Sequence, residues 1–379
     1  MALKLDFIQK TQVIQLEEVS SFFFSLPKKE CPFQRSSAGS TGVTFLPLDF
    51  DFKWVVKWQN PSLTEAEYLC NEFYRRAFIH LSVPQAICVL PEALKKKIQE
   101  VFKGQNISDA YTPMLLEYKN GSTLNKLFEF GHIYKLSPEK REELYVHIGE
   151  IAGYDFLIAN FDRLVPANFR GTIDARHSVN GGNLMVELEL PSSSEKWGEK
   201  RLESSIHVID NAPQPILFFA PEERRIEDLS DEVDIGGFAF FEEDGFEEPL
   251  MEIESQEIAD SEQGTRLREQ RYQDFQNFMQ ADHEETLLLA RQIRIGITNE
   301  WNRILADKNL ALSNLMEDPQ EQEAMVQSLE KGLWLAKNNL KELPLQQVLE
   351  ELETENNTTT KAAKIVFDFI KKNLAFTQN

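Results

Sequence analysis

Residues 154–166 have the sequence YDFLIANFDRLVP, which is typical of the end of a long helix followed by a loop. Before this stretch, apolar side chains recur at helical spacing from Pro138 onward, and Ser137 is a suitable cap for that helix. The pattern therefore predicts a long helix that opens at Ser137-Pro138 and ends near Ala159. A short polar loop that carries Asp162 follows the helix.

Two more polar residues lie at the ends of predicted strands. Asn183 opens the apolar strand expected over 184–190, and Asp210 closes the strand expected over 205–210. Phosphoryl transfer needs an acceptor for the proton of the attacking hydroxyl and two hard oxygen ligands for Mg²⁺. Asp162, Asn183 and Asp210 supply these three groups in chain order, so the sequence predicts a phosphotransferase site.

A lysine, Lys57, lies inside the apolar run WVVKW, where its charge is costly unless it is paired. The helix predicted over 62–81, with its first residue as the N-cap and Glu65 at the capping-box position, offers the nearest carboxylates. Glu65, Glu67 and Glu72 are all candidates for the partner of Lys57. The local pattern that follows favours Glu72, and a nucleotide phosphate would be the second partner.

Two further stretches fit a nucleotide site. The small-residue loop SSAGSTG at 36–42, which includes Gly39 and Ser40, would let backbone N–H groups approach a phosphate. It matches neither a Walker A loop nor a Gly-x-Gly-x-x-Gly motif. The run LLEYKNGSTL at 115–124 resembles a hinge between two lobes, where main-chain groups from Glu117 onward could bind an adenine edge.

Together these stretches resemble the actin-fragmin kinase catalytic family, which belongs to the wider group of atypical kinases that contains the phosphoinositide 3- and 4-kinases. The likeness spans roughly residues 35–215 and rests on DRL at 162–164, GNLM at 182–185 and IDN at 209–211. It implies a two-lobed kinase-like catalytic domain. The helical pattern after residue 264 predicts an all-helical C-terminal domain behind it, so the expected fold class is α+β. The resemblance also implies ATP with Mg²⁺ or Mn²⁺ as the cofactors.

The resemblance implies a role for each site residue. Lys57 would contact the α- and β-phosphates, and Glu72 would pair with it. Asp162 would be the catalytic base or would orient the nucleophile, and Arg163 beside it would steady the γ-phosphate or the loop. The implied metal ligands are Asn183 and Asp210.

The chain departs from ordinary protein kinases in two places. The interval between Asp162 and Asn183 is long, and Asn168 is an alternative metal ligand because compact kinase loops place that asparagine a few residues after the aspartate. We prefer Asn183 because it opens the strand that leads to Asp210. The residues after Asp210 are Asn-Ala-Pro rather than Phe-Gly.

These observations predict an ATP- and Mg²⁺-dependent phosphotransferase that moves the γ-phosphate to a hydroxyl, with protein Ser/Thr as the favoured acceptor. One alternative is a phosphoinositide kinase, because the wider group includes such enzymes. The other is a pseudokinase-like adaptor that acts through its helical domain. An enzyme is favoured over the adaptor because four candidate site residues are all present: Lys57, Asp162, Asn183 and Asp210.

Charge and composition divide the chain into three parts. The segment 221–262 carries a net −15 of the total −22, because 17 acidic residues face two arginines there. We expect a kinase-like catalytic domain over 1–220, an acidic linker or docking segment over 221–262 and a helical domain over 263–379. So acidic a chain is not expected to bind nucleic acid.

Two groups of basic residues point to anionic partners. Arg75, Arg76 and the lysines at 95–97 predict a site for an anionic activator such as an inositol phosphate. Arginines scattered over the helical domain predict contact with a membrane lipid headgroup.

Three cysteines without pair spacing and the absence of a signal-like apolar core predict a cytoplasmic protein. The composition also suits a bacterial protein secreted into a host cell.

Overall fold

The computed structural model describes residues 17, 20–21, 23–24, 34–35, 43–45, 54–88, 92–101, 111–119, 121–129, 131–166, 175, 177–188, 204–209, 262–308, 318–355 and 360–377. Within them the chain is mostly helical and carries two small antiparallel sheets. The expected mixed α+β class is therefore confirmed. None of the described helices is long and apolar enough to cross a bilayer.

The first sheet has five strands in the order β1-β2-β3-β5-β4. The strands are β1 (Gln34–Arg35), β2 (Val43–Phe45), β3 (Trp54–Gln59), β4 (Ala86–Ile87) and β5 (Thr112–Glu117). All six residues of β3 are buried, since β3 lies in the middle of the sheet and helices cover both faces. Helix α1 (Pro61–Ala77) follows β3, and helix α2 (Glu92–Val101) packs on the tryptophans of β3.

The second sheet has three strands, β6 (Ser122–Thr123), β7 (Leu184–Leu188) and β8 (Ser204–Val208). Strand β7 lies in the middle, with Leu184 opposite Val208. Strand β8 also touches the loop after α1, because the amide of Val208 donates to the carbonyl of Ser82 at 3.0 Å. This bond connects the second sheet to the segment that leads into β4.

The remaining described helices surround a long central one. The helices are α3 (Leu124–Glu129), α4 (Pro138–Ile158), α5 (Glu262–Gln280), α6 (His283–Lys308), α7 (Pro319–Glu342), α8 (Leu345–Glu355) and α9 (Lys361–Thr377), with 3-10 turns at His132–Lys135 and Gly181–Asn183. Helix α4 begins as predicted, because the Ser137 hydroxyl accepts from the amide of Lys140 and Pro138 occupies the first turn.

Helices α4 and α7 cross with their backbones in contact. A methyl group at Gly149 of α4 would overlap the carbonyl of Leu329, and one at Gly332 of α7 would overlap the carbonyl of Val146. Glycine is therefore required at both positions by the close approach of the two helices. Side chains from residues 66 to 374 form one hydrophobic core around this crossing.

Helices α8 and α9, and Thr360 between them, contact the ends of α1 and α4. Glu65 of α1 accepts from the amide of Thr360, and Arg76 pairs with Glu355 at 2.8 Å. The buried amide of Asn373 in α9 donates to the carbonyl of Leu157 at 2.9 Å, which satisfies an otherwise orphan carbonyl in the last turn of α4. The described helices α5 to α9 thus share buried core side chains with α1 and α4.

Most predicted elements exist, and their ends differ by a few residues. The helix expected over 62–81 begins at Pro61 and ends at Ala77, and Asn60 is its N-cap, because the Asn60 side chain accepts from the amide of Ser62. The predicted cap, Ser62, is therefore wrong. The helices expected after residue 264 are all observed. The acidic segment lies outside the described residues up to Glu262, where α5 begins.

Candidate functional site

The Asp162 loop begins with a sharp turn at the end of α4. Ala159 adopts a left-handed conformation, with φ of 56°, and the amide of Asn160 returns to the carbonyl of Asp155 at 2.9 Å. A left-handed alanine costs on the order of 1 kcal/mol, so the surrounding packing must hold it. After the turn, Asp162 is exposed, whereas its neighbours Phe161 and Arg163 are buried.

Asp162 and Asn183 meet, although 21 residues separate them in the chain. The amide nitrogen of Asn183 lies 3.3 Å from Asp162 Oδ2, and that of Asn180 lies 3.4 Å from the same oxygen. Asn180 also ties the two segments through its main chain, because its amide donates to the carbonyl of Arg163 at 2.9 Å. Its side-chain oxygen accepts from the amide of Gly182. Asn180 is a site residue that we did not predict.

The end of β8 lies next to Asn183. The amide of Ile209 is 3.3 Å from the carbonyl oxygen of Asn183, which brings the residue before Asp210 to the same place. Asp210 itself lies outside the described residues, as do Gly39, Ser40 and the alternative ligand Asn168. Among the described residues no three His, Cys, Asp or Glu side chains are grouped as a metal site.

Lys57 forms a buried ion pair with Glu67. Its Nζ lies 2.9 Å and 2.7 Å from the two carboxylate oxygens, and Gln59 donates to the same carboxylate at 2.8 Å. The expected pairing of Lys57 with Glu72 is therefore wrong. Glu67 and Glu72 are five residues apart, which is about 140° around a helix of 3.6 residues per turn, so the two face different neighbours.

Glu72 is paired within its own helix. Its carboxylate lies 2.6 Å from Arg75 and 3.6 Å from Arg76, one turn further along α1. This spacing was visible in the sequence, because side chains three and four residues apart on a helix are neighbours. The basic cluster expected to bind a polyanion is divided accordingly: Arg75 and Arg76 are engaged by carboxylates, and Lys97 is buried.

Arg163 points into the protein. Its side chain is 0% exposed, and its guanidinium lies 3.5 Å from Asp155 of α4. The hydroxyl of Tyr74, on α1, donates to the same carboxylate at 2.9 Å. Of the two roles expected for Arg163, anchoring the loop fits this burial, and contact with a γ-phosphate does not.

The charge state of Asp155 depends on competing effects. Burial raises its pKa to about 7, against the attraction of Arg163 and the hydrogen bond from Tyr74, which lower it. This carboxylate joins α1, α4 and the Asp162 loop at a single point. Neither Asp155 nor Tyr74 was predicted as part of the site. The one sequence signal for them was their position on the inward-facing sides of their helices.

The stretch expected to be a hinge begins in β5, which lies between β3 and β4 in the first sheet, and reaches β6 of the second sheet. The amide of Glu117 donates to the carbonyl of Gln85 at 2.8 Å, and its side chain accepts from the amide of Gln85 and from Lys119. The N–H of Glu117 is thus engaged within the sheet. Binding of an adenine edge by main-chain N–H groups would fall to Tyr118 and Lys119, and Tyr118 is exposed.

Comparisons of the chain with protein-family models, with curated proteins and with solved structures returned no match. The functional assignment therefore depends on the residues of the site and their geometry.

Proposed function

We propose that the chain is an ATP-dependent phosphotransferase similar to the actin-fragmin kinase family, which transfers the γ-phosphoryl group to a hydroxyl of protein serine or threonine. The observation that carries the proposal is the 3.3 Å approach of Asn183 to the Asp162 carboxylate. The pair combines an exposed acceptor for a proton with an amide oxygen suited to a hard cation.

Each residue of the site would have one task. Asp162 would accept the proton of the attacking hydroxyl and hold that hydroxyl in line. Asn183 donates its N–H to Asp162, so its amide oxygen is the atom that could bind a divalent cation, with Asp210 as the second ligand. ATP with Mg²⁺ or Mn²⁺ would supply the phosphoryl group and neutralise the charge that develops on it.

Lys57 supports the nucleotide assignment. Glu67 holds its ammonium on the central strand of the first sheet, 2.7 Å from the carboxylate. A buried lysine fixed by a helix carboxylate is suited to binding phosphate oxygens, because its donors are already oriented. Glu67 replaces Glu72 in this proposal as the residue that pairs with Lys57.

A two-lobed kinase-like fold is the finer description that we propose. The five-stranded sheet with α1 and α2 would form the smaller lobe, and the helices around α4 with the three-stranded sheet would form the larger one. Strand β5 continues into β6, so the segment between them would join the lobes. Tyr118 and Lys119 in that segment would bind the adenine.

The first experiment measures ATP turnover by the full chain with Mg²⁺, then with Mn²⁺, and after removal of the metal by a chelator. We expect turnover only with the metal. Asp162→Asn should lower turnover by about 10²-fold, the scale of general-base removal, and retain nucleotide affinity. Asp368→Asn, an exposed aspartate on α9, is the matched control. Parental turnover by Asp162→Asn would refute the proposed role of Asp162.

The acceptor is identified by labelled phosphate from ATP. The protein is incubated with a cell extract or with vesicles that contain phosphoinositides, each with and without an inositol polyphosphate as activator. Label on serine or threonine supports the favoured acceptor, and label in lipid identifies a phosphoinositide kinase. A chain that neither turns over nor binds ATP under any of these conditions would be an adaptor.

A further inference from the structure

Helix α6 contacts the loop that precedes Asn183. The side-chain amide of Asn299 donates to two carbonyl oxygens of this loop, those of Ala175 and His177, each at 2.7 Å. One amide group thus holds two loop residues. Asn299 lies in the C-terminal part of the chain, 122 residues from His177, so nothing local requires this contact.

The same helix approaches the loop with its backbone. A methyl group at Gly296 would lie 2.6 Å from Cδ2 of His177 and 2.7 Å from Cγ1 of Val179. A side chain at position 296 would require His177 and Val179 to shift. The loop therefore packs closely on α6 at Gly296, one helical turn before Asn299.

Glu300 fixes the neighbouring residues. Its carboxylate is buried and accepts from Asn125 of α3 at 2.8 Å and from the Ser178 hydroxyl at 3.3 Å. Arg303, one turn along α6, donates to both oxygens of Glu300 and balances its charge. The loop is thus held by α6 on one side through two adjacent residues.

The other side of the loop is the candidate site. Val179 is followed by Asn180, whose amide nitrogen lies 3.4 Å from Asp162, and then by Asn183. The carbonyl of His177 accepts from Asn299, and only two residues separate His177 from Asn180. A shift of the loop on α6 would consequently move the groups around Asp162.

We propose that Asn299 is a positioning residue for this site, and that α6 belongs to the phosphotransfer apparatus through it. The inference rests on the proposed function. Misplacement of reacting groups by about 1 Å can cost up to about 10²-fold in rate, whereas the nucleotide would still bind through other contacts. Loss of the Asn299 amide should therefore lower kcat by about 10-fold and leave the KM for ATP within about two-fold.

The test compares Asn299→Asp and Asn299→Ala with Asn302→Asp, an exposed asparagine on the same helix that undergoes the same chemical change. The aspartate cannot donate to the two carbonyls, so it removes the contact at nearly constant size. For each protein we would measure kcat, KM for ATP, the thermal midpoint and the hydrogen–deuterium exchange of residues 177–183. Asn299→Ala provides the result if the aspartate variant does not fold.

Support requires at least 10-fold faster exchange in residues 177–183 together with a fall in kcat at unchanged KM, in both Asn299 variants that fold and not in Asn302→Asp. Unchanged exchange overturns the inference whether or not the chain turns over ATP. Faster exchange with parental kcat also overturns it. If the parent has no turnover, the proposed function fails, and with it the positioning role, whatever the exchange shows about the contact.

Discussion

Lys57 and Glu67 form an ion pair that joins the central strand of the first sheet to the helix beside it, with Nζ 2.7 Å and 2.9 Å from the carboxylate oxygens. Both side chains are at least nine-tenths buried. Each charge is far from bulk water, so each depends on the other. The pair therefore fixes the position of α1 against β3.

Replacing Glu67 by glutamine should impair both stability and ATP turnover. The change leaves the Lys57 ammonium buried without its opposite charge, which costs about 3 kcal/mol or more in unfolding free energy. We expect turnover to fall by at least about 10-fold, because Lys57 is no longer held toward the phosphates. Glu72→Gln on the same helix is the matched control and should keep turnover within about three-fold. Equal loss of turnover in both variants would contradict the assignment of Glu67.

The pKa of Asp155 predicts a pH dependence of stability. Burial raises it from 3.8 to about 7, so between these values the folded protein holds a proton that the unfolded chain has released. The contribution of Asp155 to the free energy of unfolding consequently falls as pH rises from about 4 to about 7. Unfolding by urea, measured across this range, should show the parent losing a few kcal/mol relative to Asp155→Asn. A difference that stays constant with pH would show that Asp155 is charged throughout.

Glu150, on the same helix, should behave in the opposite way. Burial would raise its pKa, but the nearby His147, at 3.5 Å, and the hydrogen bonds with His80 and Tyr154 lower it to about 2. Its contribution is present above pH 4.5 and is lost as pH falls from 4.5 toward 2. The advantage of the parent over Glu150→Gln in unfolding free energy should shrink in that acidic window. If the parent instead gained unfolding free energy relative to Glu150→Gln as the pH falls, the lowered pKa of Glu150 would be contradicted.

The crossing of α4 and α7 predicts an unusual effect of alanine. In an exposed helix, replacing glycine by alanine stabilises by up to about 1 kcal/mol. Gly149→Ala and Gly332→Ala should instead destabilise by about 1–3 kcal/mol or more, because the new methyl groups meet backbone carbonyls of the other helix. Denaturant midpoints test the sign, with Asn302→Ala on α6 as the exposed control. A raised midpoint in either glycine variant would mean that the helices lie further apart.

Local signals account for the parts of the fold that the sequence predicted. The Ser-Pro start of α4 and the long amphipathic helices after residue 264 depend on neighbours within one or two turns, and they are observed. The short helix α2 was not predicted, because its ten residues are fewer than the window over which helical periodicity is normally recognised.

The site was harder to predict because its contacts join distant segments. Asp162 and Asn183 were predicted from chain order, and they lie together. Tyr74 and Asp155 are 81 residues apart, and no spacing rule connects them. Asn299 was read only as part of a helix, since a polar residue on a helix gives no sign of which loop it will meet. The pairing of Glu72, by contrast, could have been predicted from the arginines one turn away.

The contact between Asn373 and Leu157 has a consequence for how the protein is made. Its two ends are 216 residues apart, so the ribosome completes α4 long before α9 exists. During that interval, apolar faces of α1 and α4 have no cover from the last helix, and they are surfaces that chaperones and proteases recognise. The Asp162 loop, which begins where α4 ends, gains its full support only after translation of residue 373. A nascent chain interrupted earlier would be a target for degradation before it could act on any substrate.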